Sequence, residues 1–103
     1  MSPMDTRTRR RYRRIAHHLS PVVAIGASDV TDAVVNEANR ALTDHELIKV
    51  KVHDESRQAR AQAIEILATR CNALIVQKIG KTAVLYRANP DANPKLSNLS
   101  RFA

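Results

Sequence analysis

Tyr12, Ile15, Ala16 and Leu19 recur at i, i+3, i+4 and i+7, while Arg9, Arg10, Arg13, Arg14 and His17 fall mostly on the other side of that helical wheel. The spacing predicts an amphipathic helix with an outward arginine face. Pro21 closes it, because the residue before a proline disfavours the α region. Residues 22–25 form a short apolar run ended by Gly26 and read as a buried strand. Ala27-Ser28-Asp29 reads as a turn, with Ser28, Asp29 or Thr31 able to cap the next helix. That helix carries Val30, Ala33, Val34, Glu37, Ala38, Ala41 and Leu42 along one stripe, with Glu37 alone out of pattern, and ends at Thr43-Asp44-His45. Ile48, Val50 and Val52 then alternate with Lys49 and Lys51, a strand with one apolar and one basic face.

Asp54 or Ser56 can cap a third helix, whose buried stripe uses Ala59, Ala63, Ile64, Leu67 and Cys71. Asn72 suits the left-handed position that follows many helices. A strand starts at Leu74 and runs to Ile79, Gly80-Lys81 fits a two-residue hairpin turn, and 83–86 is the returning strand. From Ala88 onward Pro, Asn and Ser dominate. The expected fold class is α/β (α+β two-layer), αβαβαββ, with three helices and a four-stranded mixed sheet. Single-helix connections imply parallel pairs, and the last two strands an antiparallel hairpin. The boundaries are a flexible N-terminus at 1–6, one domain at 7–88 and a flexible C-terminal tail at 89–103.

Charge sharpens this picture. The 103 residues hold 17 Lys+Arg and 10 Asp+Glu, a formal net charge of +7. Residues 1–14 alone hold six Arg against Asp5, a net +5, which leaves +2 for the rest. Such a block is a polyanion-binding candidate, since phosphate contacts release condensed counterions. The candidates are the arginines of the first helix, Lys49, Lys51, Lys81 and Arg87. Tyr86 could stack a base or belong to the core. With only three aromatics, backbone and shape recognition of folded RNA suits the composition better than a stacking platform.

Enzyme readings fare poorly. Cys71 lies on an apolar stripe and reads as a structural thiol. His17 and His18 are adjacent and expected to point apart, and His45 and His53 bracket a strand, so no metal site is expected. Asp29 and Asp32 read as capping and dipole compensation. Two glycines exclude a P-loop or dinucleotide fingerprint. No cofactor, small-molecule substrate or membrane partner is expected. No apolar run approaches the ~20 residues of a span, and the basic N-terminus lacks an apolar h-region. A single Cys fits a reducing compartment, so a cytoplasmic monomer is expected.

Four ordered stretches then resemble one family. Ala16-His17-His18-Leu19-Ser20-Pro21-Val22-Val23-Ala24-Ile25-Gly26 looks like the opening of the CRM domain (chloroplast RNA splicing and ribosome maturation), whose bacterial single-domain form is YhbY-like. Val30-Thr31-Asp32-Ala33-Val34, His45-Glu46-Leu47-Ile48-Lys49-Val50-Lys51 and Ile79-Gly80-Lys81-Thr82-Ala83-Val84-Leu85-Tyr86-Arg87 match the same form, so the likeness covers roughly residues 9–88. The resemblance implies a fold similar to the C-terminal domain of translation initiation factor three. It also implies RNA binding and association with ribosomal RNA of large-subunit precursors. The family places a GxxG loop after the first strand, comparable to the backbone clamp of KH domains. Here it reads Gly26-Ala27-Ser28-Asp29. Asp29 puts a negative charge where a phosphate would approach, which leaves the loop as a weakened clamp or as a positioner of the second helix. The RNA-binding candidates are therefore Arg9, Arg10, Arg13, Arg14, Gly26, Ala27, Ser28, Asp29, Lys49, Lys51, Lys81 and Arg87. The alternatives are a DNA-binding domain, or a module whose basic helix meets an acidic protein.

Overall fold

The computed structural model describes residues 4–26 and 30–102. In chain order the elements are α1 (Thr6–Ala16), β1 (Pro21–Ile25), α2 (Asp32–His45), β2 (Leu47–Val52), α3 (Arg57–Arg70), β3 (Leu74–Ile79), β4 (Thr82–Tyr86) and α4 (Asn98–Arg101). The expected αβαβαββ order is present, with one further short helix. The four strands form one mixed sheet in the order β1-β2-β4-β3. β1 and β2 are parallel, as a helical crossover requires, while β4 pairs antiparallel with both β2 and β3. The hairpin thus inserts its second strand into the sheet and leaves β3 as an edge.

Each helix boundary has a local cause. Asp5 caps α1, its Oδ1 accepting from the Thr8 amide at 2.7 Å, so the helix begins at Thr6 and the expected flexible stretch 1–6 is partly ordered. Met4 is buried against α1. The helix stops at Ala16, earlier than Pro21 suggested, and tight turn bonds from His18 to Ile15 and Leu19 to Ala16 finish it. Thr31 caps α2 and Ser56 caps α3. Asn72 at φ 56° closes α3 in a Schellman arrangement, with the Ala73 amide bonding the Ala68 carbonyl at 2.8 Å. Gly80 has φ +56° and Lys81 does not share that sign, the pattern of a II′ hairpin turn.

Two apolar clusters hold the sheet. On one face Val35, Ala38 and Leu42 of α2 and Ile64, Leu67 and Ala68 of α3 pack against Ile25, Ile48, Val50, Val52, Ala83 and Leu85. The α2 stripe is rotated from the expected one: Ala33 and Glu37 are exposed and Val35 is buried, which removes the anomaly at Glu37. Cys71 is buried in this cluster, and burial raises its thiol pKa, as a structural thiol requires. On the opposite face Tyr12, Ile15 and Ala16 of α1 cover Leu47, Val76 and Val84, with Leu99 of α4 at the margin. Helices therefore lie on both faces of the sheet, where the sequence suggested two layers.

The segment after β4, expected as a loose tail, folds back over the body. Glu46 is its anchor: its carboxylate accepts from the Asn89 amide and from Ser97 Oγ, both at 2.8 Å. Asn98 Nδ2 donates to the Leu47 carbonyl at 2.7 Å, and Ser97 and Asn98 are buried. Polar residues that read as tail composition are satisfied by partners 51 residues away.

Tyr86 sits beside Tyr12 with ring centroids 4.8 Å apart, so it belongs to the second cluster's rim. Burial, then the neighbouring Tyr12, pushes its phenol up to about 12 from the ordinary value of 10.0. A raised folded value favours the fold below pH 10, and that contribution disappears as pH rises from about 10 through 12. Stability measured by denaturant midpoint should therefore fall across this window. The Tyr86→Phe variant should show a shallower fall, and identical profiles would refute the assignment.

Candidate nucleic-acid interface

Period-two alternation places Lys49 and Lys51 on the α1 face of β2, beside Val84 and Thr82 of β4. α1 covers only the Leu47 end of that face. The other end is open, and Lys51 lies there between Ala24 and Thr82. α1 borders it through Arg13 and His17, which line a cavity of about 280 Å³ together with Lys49, Gln77, Ile79 and Thr82. Arg10, Arg13 and Arg14 are exposed, and none of their side chains has a hydrogen-bond or ion-pair partner among the described residues. The basic face of the helix and that of the strand thus form one surface, although they lie about 35 residues apart in the chain.

Sequence reasoning missed Gln77, Ile79 and Thr82 here. The cause is a bulge in β3: Ile75 pairs with Leu85 but Gln77 with Val84, so Val76 is extra. A one-residue bulge inverts the alternation beyond it. Gln77 and Ile79 therefore turn toward α1, and Lys78 turns to the helix face opposite. Ile79 is 60% exposed, an apolar side chain beside the cations. On that opposite face Lys78 joins Arg57, Arg60 and Lys81 around a cavity of about 580 Å³ at the hairpin.

Two arginines expected at the interface serve the fold instead. Arg9 Nη1 donates to the Ile75 and Val76 carbonyls at 3.0 and 2.8 Å, covering the bulge on the edge strand β3. Arg87 is turned inward. Its Nη1 donates to Asn39 Oδ1 and the Cys71 carbonyl, and its Nη2 to the Asn39 carbonyl and Thr43 Oγ1, at 2.7 to 3.0 Å. This ties the end of β4 to α2 and to the end of α3. Lys81 Nζ donates to Glu55 Oε1 at 2.8 Å, and this pairing lowers the Glu55 carboxyl pKa. Both side chains are exposed, so the pair adds little to stability.

Of the expected GxxG-like loop, Ala27, Ser28 and Asp29 lie outside the described residues. Gly26 follows β1 at the Lys51 end of the sheet, where the His53 amide bonds the Ile25 carbonyl at 2.9 Å. A Cβ built on Gly26 meets nothing within 4 Å, and its φ is not left-handed. The fold does not require glycine there. Gly26→Ala should therefore keep or slightly raise the melting temperature. If backbone approach to a phosphate uses that space, the same variant should weaken RNA binding by about 1 kcal/mol, roughly five-fold. Equal affinity would remove Gly26 from the interface.

His17 and His18 do not point apart as expected: both lie past the end of α1, with rings 5.8 Å apart edge to face. Among the described residues no group of three or more His, Cys, Asp or Glu is placed to hold a metal, and no helix is long and apolar enough to cross a membrane.

The sequence model of the CRS1/YhbY (CRM) domain matches residues 4–87. The chain belongs to the CRM domain family. It is 43% identical, over 92% of this chain and 91% of the other, to a Pseudomonas aeruginosa protein named probable RNA-binding protein. An RNA-binding protein of Haemophilus influenzae is 38% identical over 93% of this chain and 97% of its own. The solution structure of the hypothetical protein SAV1595 of Staphylococcus aureus aligns with a TM-score of 0.77 at 26% identity, covering 87% of this chain and 94% of that one. The matched CRM residues contain α1, the whole sheet and Arg87, and stop before α4.

Proposed function

We propose that this CRM protein binds structured RNA through α1 and the open half of the sheet, and that it acts as a binding protein rather than a catalyst. The observation that carries this reading is the meeting of Arg13 of α1 with Lys49 of β2 around one cavity, with exposed Arg10 and Arg14 on the same helix and Lys51 on the same strand face, the three arginines having no hydrogen-bond or ion-pair partner among the described residues. Cations without internal partners cost little to redirect toward phosphates, and the rigid sheet fixes their spacing. Arg10, Arg13, Arg14, Lys49 and Lys51 take the phosphate contacts on this surface, Lys81 takes one at the hairpin, on the other side of the sheet, and the loop beginning at Gly26 takes a backbone contact. Relatives named as RNA-binding proteins support the RNA assignment. The finer role rests on the resemblance set out above: the RNA is ribosomal RNA in large-subunit precursors, and the protein is a monomeric, cytoplasmic ribosome-assembly factor.

The test is sucrose-gradient fractionation of native lysate with and without ribonuclease. Co-migration with large-subunit or precursor particles, abolished by digestion, is the expected result. Residence only at the top of the gradient would overturn the ribosomal role. Association insensitive to ribonuclease would favour an acidic protein partner, and preference for duplex DNA over folded RNA at equal salt would favour DNA.

A further inference from the structure

The C-terminal segment lies beyond the residues matched by the family and is held firmly at its base. Ser97 and Asn98 are buried on Glu46 and Leu47, and His45 Nδ1 donates to the Leu96 carbonyl at 2.8 Å. From this anchor Arg101 and Phe102 project beside the end of α1. The Phe102 ring is near-parallel to that of His18, at 9° with centroids 6.1 Å apart, and the Arg101 guanidinium carbon lies 5.6 Å from the Phe102 centroid. Phe102 is 37% exposed and is the one phenylalanine of the chain. These three residues border a cavity of about 220 Å³ that also takes in Val22, 49% exposed, and Lys49.

An exposed aromatic ring, an exposed aliphatic side chain and two cations around one hollow match the chemistry of a nucleotide. The base has flat apolar faces, and its phosphate needs a cation within a few ångströms. Lys49 also borders the cavity beside Arg13, so the hollow is continuous with the proposed phosphate-binding surface. We infer that Phe102, His18 and Arg101 form a stacking subsite for one unpaired base of the bound RNA, with Lys49 on the adjoining phosphate. This rests on the RNA-binding reading and adds to it a preference for an unpaired nucleotide. A surface that reads only backbone would not have that preference.

The full-length chain is titrated with two hairpin RNAs identical except for a single bulged 2-aminopurine in one. The wild type should bind the bulged RNA about ten-fold more tightly, with the fluorescence change of a stacked base. Phe102→Leu keeps apolar bulk but loses the π face, so it should reduce the bulged affinity to that of the paired hairpin and leave the paired affinity unchanged. Phe102→Tyr should retain the preference. A wild type that binds both hairpins equally, or a Phe102→Leu variant that keeps the preference, overturns the stacking site while the RNA reading stands. Failure to bind either hairpin overturns both.

Discussion

Replacing Arg10, Arg13 and Arg14 together by alanine should lower affinity for structured RNA on the order of 100-fold near 0.1 M salt. Each phosphate that a side chain no longer neutralises takes about 0.7–0.9 from the slope of log K against log salt, so the slope should flatten by about 2–3. The fold should survive, because the three side chains are exposed and have no hydrogen-bond or ion-pair partner among the described residues. Circular dichroism and thermal melting check that point, and fluorescence anisotropy at several salt concentrations gives the slope. An unchanged slope would remove α1 from the interface. Arg9→Ala is the informative contrast. Its guanidinium is engaged on the Ile75 and Val76 carbonyls, so its removal should reduce stability more than it changes the salt dependence.

Arg87→Ala should damage the fold as much as truncating a core side chain does, although Arg87 lies on no apolar stripe. It removes four hydrogen bonds, among them the donor to the Cys71 carbonyl at the end of α3. Charge-assisted bonds contribute about 1.5–3 kcal/mol each when measured singly, but they are not additive within one group, so a loss of about 2–4 kcal/mol is expected. For a domain of this size that corresponds to a fall in melting temperature of roughly 10–25 °C. Arg87→Lys should recover little of it, because one ammonium cannot reach acceptors on α2 and on the end of α3 at once. A fall smaller than about 5 °C would show that the guanidinium is not a structural tie. In that case its place among phosphate-binding residues would be restored.

Local signals in the chain were reliable where one residue determines the geometry. Gly80 and Asn72 occupy the left-handed positions expected of them, and Thr31 and Ser56 cap their helices. The alternation of β2 placed Lys49 and Lys51 on one face correctly, because a regular strand has period two. The α2 stripe was misjudged because alanine is compatible with either side of a helix. The choice of Val35 over Ala33 depends on which side meets the sheet. The C-terminal segment was misjudged for a related reason: Asn and Ser signal a loop when their partners are unknown, and theirs are Glu46 and Leu47.

The charge block, the order of elements along the chain and the family resemblance were all present in the linear sequence, since each depends on residues near one another. Which cations remain free to meet a ligand was not. Arg9, Arg14 and Arg87 are the same residue type, and nothing in their neighbours distinguishes the one that has no hydrogen-bond partner among the described residues from the two whose guanidinium donors are taken by carbonyls 16 to 67 residues away. Carbonyls left unpaired at a bulge or a helix end compete for donors only once the chain has closed, and that competition allotted Arg9 and Arg87 to the fold and left Arg10, Arg13 and Arg14 at the surface.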